Sequence, residues 1–234
     1  MDRGWRTVLL GEAMQLCEER VVITEGDEYP QVGIRAFGCG MFRSETVSFG
    51  KTSYSYFNKI QEGMIVVSQV KGWEGAIGLC GEDFNSLFVS PEYRTFRCID
   101  SLVDPSFLFV ILTAPSFRKV LRSLTRWQGA RRERLRPELL LRASIRLPPL
   151  GEQRRIVARL DRVERLAKAR LAAIDTMEAE AEAMLRAVFE RLIEGAPLRP
   201  MAEVAPLVRR PVEIDPDKIY TEIGVKSFYK GIFH

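Results

Sequence analysis

The feature that most constrains this chain is a heptad-spaced apolar stripe between residues 152 and 194. Its members alternate at spacings of four and three residues, interrupted only by Arg170: Ile156, Leu160, Val163, Ala167, Ile174, Met177, Ala181, Met184 and Val188. The stripe predicts one helix of roughly 43 residues, about 65 Å long. Because a domain of roughly 150 residues is too small to cover such a helix, we predict a coiled coil with a second helix. The alternative is a shorter amphipathic helix lying on its own domain.

Charge along this helix is polarised. From Arg154 to Arg170 there are seven basic and two acidic residues, and from Asp175 to Glu194 there are six acidic and two basic residues. An antiparallel partner of like sequence places the basic half against the acidic half, whereas a parallel partner stacks like charges. We therefore predict antiparallel pairing.

The chain divides into three segments. Residues 1–147 mix short β-branched runs with turn residues, residues 148–195 hold a linker and the long helix, and residues 196–234 return to the first pattern. The linker contains Pro148 and Pro149, and Gly151 is predicted to cap the helix. In the first segment the pattern predicts a helix broken or kinked at Pro115, over residues 105–123, and strands at 64–70, 76–80, 87–90 and 93–96. The predicted fold class is an α/β (mixed α+β) domain followed by a long coiled-coil α-helix.

The end of the chain repeats its beginning. Residues 220–233 match residues 29–42 at an offset of 191 without a gap, with five identities in 14 positions. Upstream, Glu12 matches Glu203 and Leu16 matches Leu207. We infer an internal repeat, in which residues 196–234 are the start of a second copy of the first domain. This start is too short to fold alone, so we expect either a truncated product or pairing with another chain.

Composition excludes several classes of function. The net charge of +4 permits an anionic partner without requiring one. His234 is the only histidine, and Cys17, Cys39, Cys80 and Cys98 lack the short spacings of a metal or redox motif. We therefore expect free thiols in a reducing compartment, no metal site, no cofactor and no histidine-dependent catalysis. With neither a signal peptide nor an apolar run of membrane length, we predict a cytoplasmic protein without a membrane partner.

Three stretches of sequence carry a family resemblance. They are residues 33–42 (GIRAFGCGMF), residues 73–78 (WEGAIG), and residues 131–138 (RRERLRPE) leading into residues 145–157 (IRLPPLGEQRRIV). Together they resemble the specificity subunits of type I restriction–modification systems, in a truncated or half-subunit form, over essentially the whole chain. The resemblance implies a non-catalytic subunit that recognises double-stranded DNA and directs the methyltransferase and restriction subunits.

Members of that family carry two target-recognition domains, each of which reads half of a split site, and two long antiparallel helices that separate the domains and dock the methyltransferase subunits. This sequence departs from the pattern, because it has one complete domain, one helix and a fragment. An antiparallel homodimer restores both domains and both helices.

The strongest candidate for DNA binding is a basic run. From Arg118 to Arg146 ten basic residues stand against two acidic ones, which is an electrostatic footprint for phosphates. Arginine pairs with guanine and glutamine with adenine through two hydrogen bonds each. The alternative is a solvated basic helix face. The candidate residues in this run are Arg126, Trp127, Gln128, Arg131, Arg132 and Arg134.

Three further stretches are candidates. The turn with Lys71 and Trp73 is one, although the sequence favours Trp73 as a packing residue over a base contact. A polar and aromatic loop with Lys51 and Tyr54, extending to Tyr56, is another. Arg35 is equivalent to Lys226 in the repeat, which suits a backbone contact better than a base contact.

Two rival functions remain open at this point. The sequence Asp104-Pro105-Ser106-Phe107 imperfectly resembles the catalytic motif of adenine methyltransferases. The other rival is a coiled-coil scaffold without a role in DNA binding. Binding of S-adenosylmethionine would favour the first, and absence of DNA binding the second.

Overall fold

The computed structural model describes residues 4–125, 134–211, 213–221, 223–225 and 232–233. The chain falls into two units, residues 1–172 and residues 173–234. Among the described helices, none has an apolar stretch long enough to cross a membrane.

The first unit combines short strands with short helices before the long helix. Its strands are β1 (Arg6–Leu9), β2 (Met14–Leu16), β3 (Glu19–Val22), β4 (Glu28–Ile34), β5 (Met41–Ser48), β6 (Tyr56–Lys59), β7 (Ile65–Ser68), β8 (Ile77–Leu79), β9 (Phe88–Val89), β10 (Tyr93–Cys98) and β11 (Ser144–Leu147). Its helices are α1 (Leu10–Ala13), α2 (Pro105–Thr113), α3 (Pro115–Thr125), α4 (Pro137–Leu141) and α5 (Leu150–Ile193), the last of which continues into the second unit. The predicted fold class, a mixed α+β domain with a long helix, is confirmed.

Proline is the first residue of α2, α3 and α4, because its fixed φ suits the first turn and its missing N–H has no partner there. The helix predicted over residues 105–123 is two helices, and Pro115 begins the second, as the sequence indicated. The prediction for Gly151 was wrong. The long helix begins one residue earlier, at Leu150, and the Pro149 carbonyl accepts hydrogen bonds from the Glu152 and Gln153 N–H groups.

The strands of the first unit form two larger sheets and one pair. The five-stranded sheet has the order β3-β6-β9-β4-β5, in which only the contact of β4 with β9 is parallel. The four-stranded sheet, in the order β2-β10-β7-β8, is antiparallel. The pair joins β1 to β11, with Arg6 opposite Leu147. This pairing brings the start of the chain to the residues that precede the linker.

The predicted strand at residues 64–70 forms the centre of the packing as β7. Ile65 and Val67 belong to one core cluster and Val66 to another, so both faces of the strand are covered. This explains its continuous apolar sequence, since a half-exposed strand would alternate apolar and polar residues. The larger cluster also includes Leu108 and Leu121, from α2 and α3.

Most of the apolar stripe on α5 is exposed in the single chain. Exposed members are Leu160, Val163, Ile174, Met177, Met184 and Val188. Ile156 differs from the prediction, because it is half-buried and packs with Val157 against the larger core cluster of the first unit. The stripe available to a partner therefore begins at Leu160.

The second unit contains, after the end of α5, helix α6 (Met201–Val204) and strands β12 (Gly224–Val225) and β13 (Ile232–Phe233). Gly224 pairs with Phe233, and Val225 pairs with Ile232. In the first unit, Gly33 pairs with Phe42 and Ile34 with Met41. The two hairpins therefore have the same register at the offset of 191 found in the sequence.

Two further elements share this offset. Helix α6 lies 191 positions after α1, from its first residue to its last. The Tyr29 hydroxyl accepts a hydrogen bond of 3.0 Å from the Thr24 N–H, and the Tyr220 hydroxyl accepts one of 2.9 Å from the Asp215 N–H. The repeat thus extends from the sequence to backbone hydrogen bonds.

Candidate nucleic-acid interface

The loop between β4 and β5, residues 35–40, is shaped by left-handed backbone conformations. The Arg35 N–H donates to the Gly40 carbonyl at 3.0 Å, which closes the loop. Gly40 has a φ of 77° and Phe37 a φ of 61°. Glycine adopts this region freely, but a phenylalanine there is strained and must be held by its surroundings.

Backbone hydrogen bonds hold this loop against the turn that contains Trp73. The Phe37 N–H donates to the Glu74 carbonyl at 3.0 Å, and the Gly38 N–H to the Gly75 carbonyl at 3.1 Å. The turn itself is a 3₁₀ helix, Gly72–Glu74. Two stretches that the sequence singled out separately therefore lie together.

Helix α3 approaches the same turn closely. A Cβ atom on Gly75 would lie 3.2 Å from Arg118 Cδ, and Gly75 also has a φ of 80°. A larger residue at this position would be strained in its backbone and would push Arg118 away. Glycine is thus favoured here by the left-handed backbone conformation and by the space that the Arg118 side chain occupies.

Together these elements form a surface recess of about 220 Å³. We call it the arginine–aromatic cleft; its lining residues are Phe37, Trp73, Glu74, Pro115, Arg118, Lys119 and Arg122. The Arg118 guanidinium lies 5.5 Å from the centre of the Phe37 ring, and the Arg122 guanidinium lies 5.6 Å from a ring of Trp73. These are cation–π distances. Trp73 is half-buried and contacts a cation, so it is both a packing residue and part of the surface.

A second recess, of about 320 Å³, contains Lys51 and Tyr54. We call it the hydroxyl recess, because the side chains around it include Ser44, Thr52, Tyr54, Ser90 and Tyr93. Burial raises the pKa of Tyr93, so its phenol stays protonated and can donate a hydrogen bond. Tyr56, which the sequence placed in the same loop, instead lies in β6.

Arg35 lies beside the hydroxyl recess. Its guanidinium lies 4.7 Å from the centre of the Phe42 ring, and Phe42 lines the hydroxyl recess. Phe37, two residues along the same loop, lines the arginine–aromatic cleft. Cationic and aromatic groups therefore continue from one recess to the other through residues 35–42.

The other predicted residues are less closely associated with these recesses. Lys71 is exposed at the start of the Trp73 turn, outside the lining of either recess. Arg134 forms an exposed ion pair with Glu92 at 3.3 Å. Arg126, Trp127, Gln128, Arg131, Arg132 and Lys226 lie outside the described residues.

Sequence reasoning did not select four residues that the structure brings to the recesses: Phe37, Arg118, Lys119 and Arg122. The last three belong to the basic run, but the candidates predicted within it lie further along the chain, from Arg126 to Arg134. The usable signal was the spacing of Arg118 and Arg122, which lie one turn apart on an amphipathic helix. For Phe37 the usable signal was its place next to Gly38 and near Gly40, since glycines indicate a tight loop that can present an aromatic side chain.

The structure gives Asp104 a structural role. Its Oδ1 accepts hydrogen bonds from the Ser106 and Phe107 N–H groups at 3.0 and 3.2 Å, so it caps α2. The described strands form no parallel βαβ series around it. The resemblance to a methyltransferase motif is thereby accounted for. Within the described residues no group of side chains is arranged to hold a metal ion.

Comparison with known folds agrees with this architecture. The chain is similar to the crystal structure of the HsdS subunit from Thermoanaerobacter tengcongensis, with a TM-score of 0.61 and 24% identity over 86% of this chain and 53% of that chain. A second structure, which concerns complex assembly and conformational transition of the type I R-M system, matches with a TM-score of 0.61 and 23% identity over 85% of this chain and 52% of that chain. The chain thus shares their fold and spans about half their length.

The family follows from the sequence itself. The family model for the type I restriction modification DNA specificity domain matches residues 3–176. The chain belongs to this family, as the resemblance predicted. No curated protein matches the chain.

Proposed function

We propose that this chain recognises double-stranded DNA sequence as a specificity component of a type I restriction–modification complex. The observation that carries the proposal is that the predicted residues Lys51 and Tyr54 line one recess and Trp73 lines the other, while the predicted Arg35 lies on the segment whose Phe37 and Phe42 line the two recesses. Their cationic and hydroxyl groups suit phosphates and base edges, and membership of the specificity-domain family supports the assignment.

The two recesses suit different parts of DNA recognition. The hydroxyl recess offers donors and acceptors from the strand residues Ser44 and Tyr93 and from the loop residues Thr52 and Tyr54, and such groups can discriminate among base edges. The cleft offers charge, which increases affinity for any sequence. The chain itself performs no reaction in this proposal, and the methyltransferase and restriction subunits supply the chemistry.

The long helix is proposed as the spacer and the docking surface for those subunits. Its exposed apolar residues from Leu160 to Val188 require a partner, and its charge polarity favours an antiparallel second copy. Such a homodimer holds two recognition domains apart along one duplex.

Residues 196–234 are proposed as the start of a second target-recognition domain. Support comes from α6, from the Tyr220 hydrogen bond and from the register of β12 with β13, each of which matches the first domain at an offset of 191. Counterparts of core residues are uncovered in this segment: Leu10 is buried, whereas Met201 is exposed. The remainder of a second domain would cover them.

The proposal is tested by combining the chain with methyltransferase subunits of a type I system and sequencing the methylated positions on a random duplex library. We expect methylation at one defined motif, and at none without the chain. A double variant, Lys51→Ala with Tyr54→Ala, should change the motif or abolish methylation, whereas Arg97→Gln, on β10 and already hydrogen-bonded to Gln61, should leave it unchanged. Methylation independent of the chain, together with no binding of duplex DNA, would contradict the proposal.

A further inference from the structure

The arginine–aromatic cleft contains cationic groups that lack ion-pair and hydrogen-bond partners among the described residues. Among the described residues, the side chains of Arg118, Lys119 and Arg122 form neither ion pairs nor hydrogen bonds, and the Nε of Arg118 is shielded from solvent without an acceptor. Other arginines of the same unit are paired: Arg94 with Glu18 and Arg134 with Glu92. The three cations have no acceptor among the described residues, so the cleft can take an acceptor that comes from outside the chain.

The guanidinium groups are already positioned for such an acceptor. Contact with Phe37 and Trp73 restricts Arg118 and Arg122, which reduces the entropy that each would lose on binding. Gly75 keeps α3 close to the turn, and the strained Phe37 is held there by its hydrogen bond to Glu74. Planar N–H donors in this arrangement match the paired oxygens of a phosphate.

The exposed Phe37 ring beside these cations indicates a ligand that combines an anionic group with an apolar or aromatic one. The Phe37 side chain is 60% exposed although it borders a recess, so an apolar face stays open next to the positive charge. A nucleotide presents the matching combination, an anionic phosphate attached to a sugar and a base ring. The volume, about 220 Å³, equals that of about seven waters at roughly 30 Å³ each, enough for a phosphate with part of its nucleoside. The carboxylate of Glu74 also lines the cleft and would face the sugar or solvent rather than the phosphate.

We propose that the arginine–aromatic cleft binds one phosphodiester of the DNA backbone, with the attached nucleoside against Phe37. This inference rests on the proposed function and deepens it, because it assigns the cleft to positioning the protein on DNA and leaves sequence discrimination to other residues. A contact of this kind contributes equally to every sequence and weakens with salt.

Fluorescence anisotropy with one cognate and one scrambled duplex, across a series of salt concentrations, tests this assignment on the full chain. Arg118→Gln and Arg122→Gln should each lower affinity about tenfold for both duplexes. Each should also reduce the slope of log affinity against log salt, and the double variant Arg118→Gln with Arg122→Gln should reduce it by about 0.9, the value for one lost phosphate contact. Arg118→Lys should keep the slope, since it keeps the charge. Phe37→Ala should lower affinity without a change in slope.

Arg97→Gln is the charge-matched control, and thermal unfolding of each variant verifies the fold. If the wild-type chain binds duplex DNA but Arg118→Gln and Arg122→Gln bind with unchanged slopes, the cleft assignment fails while the proposed function stands. If these variants lose affinity for one duplex only, the cleft reads sequence and the assignment is overturned. If they lose binding of methyltransferase subunits but not of DNA, the cleft is a protein interface. If the wild-type chain binds no duplex DNA, both proposals fail.

Discussion

The side chain of Gln153 joins the start of the long helix to Asp104, whose backbone N–H donates a hydrogen bond of 2.9 Å to Gln153 Oε1. The Nε2 of Gln153 donates to the carbonyls of Leu102 and Pro148 at 3.0 and 2.8 Å. Gln153 is fully buried. One amide therefore connects α5, the proline linker and the residue that caps α2, and it positions the helix on the recognition domain.

Replacement of Gln153 with Met tests this connection. The variant keeps the volume but leaves an N–H and two carbonyls without partners, so the free energy of unfolding should fall by about 2–4 kcal/mol. Urea denaturation followed by near-ultraviolet circular dichroism measures it. Arg159→Met, on an exposed turn of the same helix, should change stability by less than about 0.5 kcal/mol. Equal effects of the two variants would show that the buried amide has no such role.

Glu18 should contribute to the pH dependence of stability. Burial raises its pKa, but the hydrogen bonds and positive charges of Arg94 and Arg20 together lower it by more, so the pKa lies below the ordinary value of 4.5. Because the pKa is lower in the folded state, the ionised carboxylate stabilises the protein above about pH 4.5, and this contribution is lost as the pH falls through the folded pKa.

Glu18→Gln should therefore lower the free energy of unfolding at neutral pH by about 1–3 kcal/mol. It should also make this free energy fall less steeply at acidic pH. Denaturant titrations over a pH series provide the measurement. Of the two arginines, Arg94 is closer to Glu18, at 2.6 Å, and less exposed than Arg20, so Arg94→Gln should cost more than Arg20→Gln. If the free energy of unfolding of Glu18→Gln fell with acidic pH as steeply as that of the wild type, this account would be contradicted.

The repeated tyrosines offer a matched pair of variants. Tyr29 is 3% exposed and its hydroxyl also donates to the Val22 carbonyl, whereas Tyr220 is 45% exposed. Tyr29→Phe should lower the free energy of unfolding by about 1–2 kcal/mol, because the Thr24 N–H loses its acceptor. Tyr220→Phe should have no measurable effect on the chain alone. A loss for Tyr220→Phe as large as that for Tyr29→Phe would indicate that the second segment is already packed.

Pairing through the exposed apolar stripe of α5 should weaken when charges in the acidic half of the helix are reversed. The triple variant Glu178→Lys, Glu180→Lys and Glu182→Lys places basic residues against the basic half of an antiparallel partner. The dimer should therefore weaken, and more at low salt than at high salt. Sedimentation equilibrium measures the Kd. Mixing this variant with a second variant, Arg159→Glu, Arg162→Glu and Arg165→Glu, should restore pairing. No change in Kd at low salt would count against antiparallel pairing.

Thiol reactivity should separate the cysteines by burial. Burial raises the pKa of Cys80 to about 11 and that of Cys98 to about 12, and both side chains are inaccessible. Cys39 is exposed in the loop of residues 35–40. In the native protein at about pH 8, a chromogenic disulfide should react fast with Cys39 and reach Cys80 and Cys98 only on unfolding. Saturating duplex DNA should slow the reaction of Cys39; an unchanged rate would place the loop outside the DNA interface.

Much of the architecture follows from local sequence. The spacing of apolar residues in α5 predicts a helix over its whole length, because helical periodicity depends only on neighbours along the chain. Residues 64–70 predict a buried strand, and Pro115 predicts a helix break, for similarly local reasons. The match of residues 220–233 to residues 29–42 predicts the repeat, since equal local sequences favour equal local hydrogen bonds.

Only the tertiary structure decided which of these elements meet. Phe37, Trp73 and Arg118 are separated by dozens of residues, and their contact depends on α3 packing at Gly75 and on two hydrogen bonds between loops. Heptad spacing likewise assigned Ile156 to the exposed stripe, while in the fold it is half-buried and packs against the core, next to the anchoring side chain of Gln153. Local periodicity specifies the face on which an apolar side chain lies, but the identity of its neighbour is set by packing between segments distant in sequence.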